Sequence, residues 1–367
     1  MKITFRTDAS VDIGSGHVMR CLTLAQALKG NGHTCEFICR AHPGNLITHI
    51  TDMGFQVHTL SANAATTSAT LNSPTHLSWL GSTQLNDAQE TLSILEGAKA
   101  DWLVVDHYAL DAEWEISVQN ATNYLMVLDD IADRPHKCDL LLDQNLGRKK
   151  ADYEALVPSD CGLLLGTDYA LLRPEFAKLR PKSISARNDR NRLTQILISM
   201  GGIDKYNTTR KVLEDLNRSR LPLDTQICVV MGAHAPWIAD IHSLAALLPW
   251  HTEVKVSVDN MAELMMNASL AIGAAGSTSW ERCCLGVPTI LTILASNQRE
   301  IANHLVSSKA ALLYEPEVQT ADNSLPALID QAQQESTLKQ LSLNAAKLCD
   351  GAGADRVVER MLSPRTN

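Results

Sequence analysis

His17 closes a short glycine segment, Gly14-Ser15-Gly16, and opens a run with apolar residues at helical spacing, Val18, Cys21, Leu22, Ala25 and Leu28. Two glycines let a backbone turn tightly and approach a ligand, and a helix that starts there offers free N–H groups and a partial positive charge to an anion. The same positive end disfavours an imidazolium, so an imidazole in the first turn is suited to accept a proton. The alternative is a ring that only hydrogen-bonds the loop. The segment is not a dinucleotide fingerprint, because Met19 stands where GxGxxG needs its third glycine, and it is not a Walker A loop, because no Gly-Lys-Ser/Thr follows.

A second device occurs at Leu270-Ala271-Ile272-Gly273-Ala274-Ala275-Gly276-Ser277-Thr278-Ser279-Trp280-Glu281. It reads as a strand, a small-residue turn and a helix that Ser277 or Thr278 caps, with amides able to bind a diphosphate. Glu281 then falls where it reaches a ribose diol; the alternative is a capped helix with a surface carboxylate. Gly201-Gly202-Ile203-Asp204 gives a third glycine turn. Two facing anion sites suit a nucleotide diphosphate with something attached. Asp106-His107-Tyr108 follows a strand and either faces the ligand or packs. Asn297 and Gln298 lie in a loop, where amides can orient water or sugar hydroxyls. Asp129-Asp130 is not read as a metal pair, since adjacent residues at a strand end point apart. The twelve His lack HxxxH and HExxH spacing, and no GxSxG elbow occurs, so zinc and serine-hydrolase chemistry are not expected.

These residues are carried by alternating short apolar runs and helical patterns. Strands are predicted at Lys2–Arg6, Cys35–Cys39, Trp102–Asp106, Tyr124–Asp129 and Leu140–Asp143, then at Gln195–Met200, Ile227–Met231, Val254–Val258, Leu270–Ile272 and Pro288–Ile293. Three of the first five end in Asp, a polar exit at the carboxyl edge of a parallel strand. Residues 61–76 read as a surface loop. The fold class is α/β, with two Rossmann-like βαβ domains facing a central cleft. The expected boundaries are an N-terminal domain at 1–180, a polar, basic linker at 181–193, a C-terminal domain at 194–345, and a helical tail at 346–367 that packs back on the first domain.

The 367 residues include 32 Lys plus Arg against 41 Asp plus Glu, a net charge of −9, so no nucleic-acid partner is expected. No apolar run approaches the roughly 20 residues of a membrane helix, and the N-terminus lacks the features of a signal peptide. Nine scattered Cys without a CxxC pair suit reduced thiols in a cytoplasmic protein. The oligomeric state is left open, and a monomer is compatible with the sequence.

Taken together, Gly14 to Ala25, Val105-Asp106-His107-Tyr108, Leu128 to Asp133, Leu165 to Phe176, Gly273 to Glu281 and Asp350 to Arg356 resemble the UDP-2,4-diacetamido-2,4,6-trideoxy-β-L-altropyranose hydrolase family of pseudaminic acid biosynthesis. The resemblance spans nearly the full chain, although the Gly-Ser-Thr-Ser-Trp-Glu element is shared with UDP-sugar glycosyltransferases. It implies a GT-B-like fold, a small-molecule UDP-sugar as partner, and UDP held mainly by the C-terminal domain. It also implies no cofactor, and metal-independent, inverting attack of water on the anomeric carbon. His17 matches the family's base, and Tyr108 and Asn297 its helpers. Gly276, Ser277, Thr278 and Glu281 match the nucleotide turn, with Arg173 near the diphosphate. Gly14, Ser15, Gly16, Arg20, Gly201, Gly202 and Gln298 complete the expected substrate contacts. A glycosyltransferase of the same fold and a non-catalytic nucleotide-sugar binding module stand as alternatives.

Overall fold

A computed structural model describes residues 1–62, 76–97, 99–318 and 323–363. The predicted loop at 61–76 therefore lies almost entirely outside the described residues. The chain divides into two compact units, Met1–Leu171 with Gly353–Asn367, and Leu172–Ala352.

The first unit is built on seven parallel strands: β1 (Lys2–Thr7), β2 (Thr34–Arg40), β3 (Gln56–Leu60), β4 (Ala100–Asp106), β5 (Thr122–Leu128), β6 (Leu140–Asp143) and β7 (Gly162–Leu165). Their order is β3-β2-β1-β4-β5-β6-β7. Alternate residues serve opposite faces, as a sheet covered on both sides requires. Ile3, Phe5, Phe37, Trp102 and Val104 meet the first helix, Gly16–Gly30, and the closing helix, Gly353–Leu362, through Val18, Leu22, Val357 and Met361. Leu103, Val105, Leu125, Val127 and Leu141 pack on the other face against Trp114 and Tyr153. Order reverses between β1 and β4, where Thr7 is in register with Asp106. Such a reversal leaves a crevice at the carboxyl ends of the two strands, the usual ligand position in open α/β sheets.

The second unit repeats this plan with β8 (Gln195–Ser199), β9 (Gln226–Met231), β10 (Thr252–Val256), β11 (Leu270–Ala274), β12 (Thr289–Thr292) and β13 (Ala311–Leu313), ordered β10-β9-β8-β11-β12-β13. Its reversal lies between β8 and β11, and these are the strands that lead into Gly201-Gly202 and Gly276. The strands β3, β7 and β13 were not expected from the sequence. They are outer strands of three to five residues, too short for alternation to register.

The linker expected at 181–193 is corrected. A helix runs over Pro174–Asn188, straight through most of that segment, and belongs to the second unit. It lacks an apolar stripe because arginines do the packing. Arg180 donates to the carbonyls of Cys284, Ala346 and Cys349, and Arg187 to those of Leu285, Ala268 and Met265. These carbonyls lie in or just past the last turns of three helices, where acceptors lack intrahelical partners and cations are favoured. Burial lowers the Arg187 pKa to about 9, with Arg190 adding to the fall.

The closing helix depends on a close approach at its first residue. A Cβ on Gly353 would stand 2.3 Å from the Ala170 carbonyl oxygen and 2.5 Å from its nitrogen. Gly353→Ala is therefore expected to cost about 1–3 kcal/mol, a fall of several degrees in melting temperature. An unchanged thermal transition would show that the helix does not pack there.

Candidate active site

At the β1/β4 reversal, the loop after β1 is drawn together by Ser10, whose Oγ accepts from the amides of Asp12 and Ile13 and whose carbonyl accepts from Gly14. Gly14 has φ +80°, a left-handed conformation that glycine adopts freely. The chain then enters the first helix with His17 and Arg20 on one side. His17 Nδ1 lies 2.6 Å from Asp106 Oδ1 at the end of β4. An ionised carboxylate only accepts, so the ring proton sits on Nδ1. Nε2 meets no partner among the described residues and is reached by solvent. The imidazole is thus oriented from behind, with its accepting nitrogen outward.

Asp106 is fully buried, and two groups hold its charge. Arg20 grips it as a fork, Nε to Oδ2 at 2.6 Å and Nη2 to Oδ1 at 2.7 Å, while Nη1 reaches Asp130 Oδ2 at 2.5 Å. Burial alone would raise the Asp106 pKa; Arg20, with His17 behind it, outweighs burial and holds it far below the usual carboxylate range. Arg20 was expected to bind substrate. Its guanidinium is engaged by two carboxylates, through which it fixes Asp106 and Asp130.

Tyr108 completes the cluster. Its hydroxyl donates to Asp130 Oδ2 at 2.5 Å, and its ring meets the His17 ring edge to face at 4.5 Å. Burial and the Asp130 charge push its phenol well above the ordinary range, so it stays protonated as a donor. The neighbouring His107 accepts from the Ala109 amide at Nδ1, which leaves Nε2 facing Asp8 Oδ2 at 3.4 Å and ties the Tyr108 loop to the exit of β1.

Carboxylates stand at the exits of four neighbouring strands, each with an arginine: Asp8 with Arg6, Asp106 with Arg20, Asp129 with Arg134, and Asp143 with Arg148. Asp129 and Asp130 turn to different partners, Arg134 with Tyr153 and Arg20 with Tyr108. Asp143 differs from its neighbours: burial and the Asp130 charge, opposed by Arg148, raise its pKa to about 7. Asn145 and Arg148 both donate to Asp130. Their roles were missed in the sequence. The strand-exit aspartates were the available signal, but nothing local names their partners.

In the second unit, the turn after β11 leads into a helix at Thr278–Cys284. No acceptor meets the amides of Gly276, Ser277 and Thr278 among the described residues. Ser277 does not cap the helix with its side chain, contrary to expectation, and Thr278 Oγ1 instead accepts from Arg282 at 3.3 Å. Arg282 lies under the turn, donating to the Ala274 carbonyl and Ser279 Oγ, and Gly273 makes room for it: a Cβ there would be 2.8 Å from Nη1. Burial lowers its pKa to about 10, so it remains a cation at neutral pH.

Glu281 faces Arg173, 3.8 Å away, and burial outweighs that cation to raise its pKa to about 7. Gln298 stands beside Gly276, with Nε2 3.8 Å from a Cβ placed there, while its Oε1 accepts from Leu294. Asn297 is exposed at the start of the helix Gln298–Ser307. Gly201 has φ +85°, and the Gly202 carbonyl presses on Gly232. The amides of Thr208 and Thr209 beyond this turn are occupied by the Asp204 carboxylate, so the helix Thr208–Leu216 offers no open anion site there. His17, Arg20 and Tyr108 are thus brought together in one unit; Arg173, Gly276, Glu281 and Gln298 gather in the other.

The class of protein follows from this architecture: two parallel α/β sheets, each with a strand-order reversal, in a GT-B-like fold. The MurG crystal structure from Acinetobacter baumannii is similar at a TM-score of 0.70, with 15% identity, covering 98% of this chain and 99% of that one. Residues 196–357 match the glycosyltransferase family 28 C-terminal domain. Among curated relatives, UDP-2,4-diacetamido-2,4,6-trideoxy-β-L-altropyranose hydrolase of Campylobacter jejuni is 27% identical over 307 residues, 83% of this chain and 96% of that protein. The spore coat polysaccharide biosynthesis protein SpsG of Bacillus subtilis is 24% identical, over 85% of this chain and 83% of its own.

Two outcomes are expected. Arg20→Met leaves the buried Asp106 and the part-buried Asp130 without their shared cation and should cost about 3–5 kcal/mol, lowering the melting temperature by roughly 10 °C; a shift under 2 °C, on the order of 1 kcal/mol or less, would contradict the charge arrangement. Glu281 takes up its proton more readily folded than unfolded, so its contribution to stability falls as pH rises from about 4.5 to about 7. Glu281→Gln should therefore be more stable than the parent above pH 7, by about 1–3 kcal/mol, with the advantage vanishing near pH 4. Chemical denaturation across pH checks this.

Proposed function

We propose that this protein hydrolyses a UDP-linked 2,4-diacetamido-2,4,6-trideoxy sugar, with water attacking the anomeric carbon and UDP leaving. The observation that carries the reading is the His17–Asp106 pair, with Nδ1 committed to the carboxylate and Nε2 open to solvent. Similarity to the Campylobacter jejuni hydrolase along 96% of that protein supports the substrate class.

In this reading Nε2 takes a proton from water as the water oxygen bonds to C1. The C1–O bond to the diphosphate breaks, and its electron pair leaves with UDP. Asp106 stabilises the imidazolium that forms, as the carboxylate does in a Ser-His-Asp triad, and the proton returns to solvent. General-base help of this kind is worth about 10²–10⁴ in rate. The open amides at Gly276 to Thr278, with the Arg282 cation beneath, receive the diphosphate, and Glu281 accepts from the ribose hydroxyls. One displacement without a covalent intermediate inverts C1. No step requires a metal, Tyr108 and Asn297 orient the sugar or the water, and the reaction is placed in the cytoplasm.

The match to the glycosyltransferase family 28 C-terminal domain favours a second reading, in which Nε2 takes its proton from a sugar hydroxyl instead of water. Incubation of the protein with the UDP-sugar and no acceptor separates the two. UDP release, with ¹⁸O from labelled water in the free sugar, is the outcome expected; absence of UDP release rejects the hydrolase, and label in UDP means attack at phosphorus. His17→Ala should lower kcat by about 10²–10⁴ while UDP affinity stays within two-fold. A near-normal kcat would remove His17 from the chemistry.

A further inference from the structure

The Tyr108 ring anchors an aromatic cluster whose other two members, Trp79 and His76, have no part in the hydrolysis step. Trp79 stacks with it at 6.0 Å between centroids and 24° between planes. His76 stands edge-on to both, 5.4 Å from Tyr108 and 4.3 Å from Trp79. Since Tyr108 also meets His17, the cluster extends from the proposed base itself. Tyr108 cannot swing away, because its hydroxyl is held by Asp130.

Two features set this cluster apart from ordinary core. Trp79 is only half-buried and belongs to neither hydrophobic core cluster of its unit. His76 Nδ1 is a buried polar atom with no hydrogen-bond partner among the described residues. An unpaired buried polar atom carries a desolvation cost that a ligand can remove. A rigid, partly exposed aromatic surface beside it favours a ligand with its own apolar face. Pyranoses present C–H faces, and acetamido groups add a methyl together with an amide that can pair with a ring nitrogen.

We propose that Trp79 and His76 form a sugar subsite beside His17 that selects acetamido sugars over fully hydroxylated ones. Trp79 packs on the apolar face of the ring and its acetyl methyl, and His76 Nδ1 pairs with the acetamido group. This deepens the hydrolase reading and rests on it for the identity of the substrate.

The test uses Trp79→Ala and Trp79→Phe, with circular dichroism confirming the fold of each. With the UDP-linked diacetamido sugar, Trp79→Ala should lose 10- to 100-fold in kcat/KM, mainly through KM, while inhibition by UDP changes less than two-fold. Trp79→Phe should stay within about three-fold of the parent. Alanine kinetics within two-fold of the parent would overturn the subsite.

Saturation-transfer NMR decides the matter separately from turnover, with the same UDP-sugar and the His17→Ala protein, which consumes it about 10²–10⁴ times more slowly. The acetyl methyl protons should be saturated in that protein and lose the signal when Trp79→Ala is added. Methyl saturation that is absent from the first protein, or that persists in the second, overturns the subsite. Absence of UDP release by the parent enzyme rejects the hydrolase reading instead.

Discussion

Arg20 bridges the buried Asp106 carboxylate and the part-buried Asp130, and the rest of the first unit's site depends on that bridge. Asp106 must remain ionised in a buried position if it is to hold the His17 proton on Nδ1, and burial alone would protonate it. The fork from Arg20 reverses that balance, and the same guanidinium fixes Asp130, which in turn fixes the Tyr108 hydroxyl. Removing one charge would leave the others unpaired, so orientation of the imidazole and stability of the fold are a single electrostatic problem. Asp8 and Asp129 repeat the solution with Arg6 and Arg134, whereas at Asp143 burial and the Asp130 charge outweigh Arg148.

The second unit handles charge the other way. Arg187 and Arg282 are buried without a carboxylate partner in hydrogen-bonding reach among the described residues, and they donate chiefly to backbone carbonyls. Carbonyl oxygens satisfy a guanidinium's donors but do not cancel its charge. The positive charge of Arg282 therefore persists under a turn whose own amides are open, while Glu281 sits close by with its pKa raised to about 7 by burial. That combination favours a ligand carrying negative charge at one end and hydroxyl donors at the other.

Much of the architecture was readable along the chain. Leu140–Asp143 was placed to the residue, and most other strands to within two residues at either end, because buried parallel strands are continuous apolar runs. His17 was singled out by its position between a glycine turn and a helical pattern. The helix Pro174–Asn188 was hidden, since apolar periodicity cannot reveal a helix held by arginines on distant carbonyls. The capping role given to Ser277 failed because its backbone is already helical, φ −56° and ψ −29°, whereas a capping side chain works from an extended residue.

Residue type and order alone singled out side chains with ionisable chemistry and turns with backbone freedom: His17 after Gly14 and Gly16, Glu281 after Gly276, aspartates at strand ends. Which of them meet was decided only when the sheet closed. Asp106 lies 89 residues from His17, and Asp130 lies 110 from Arg20. Local sequence carries backbone preference and ionisable groups. The sign and strength of their coupling depend on distance and burial, and those exist only once the parallel strands have placed their carboxyl ends side by side.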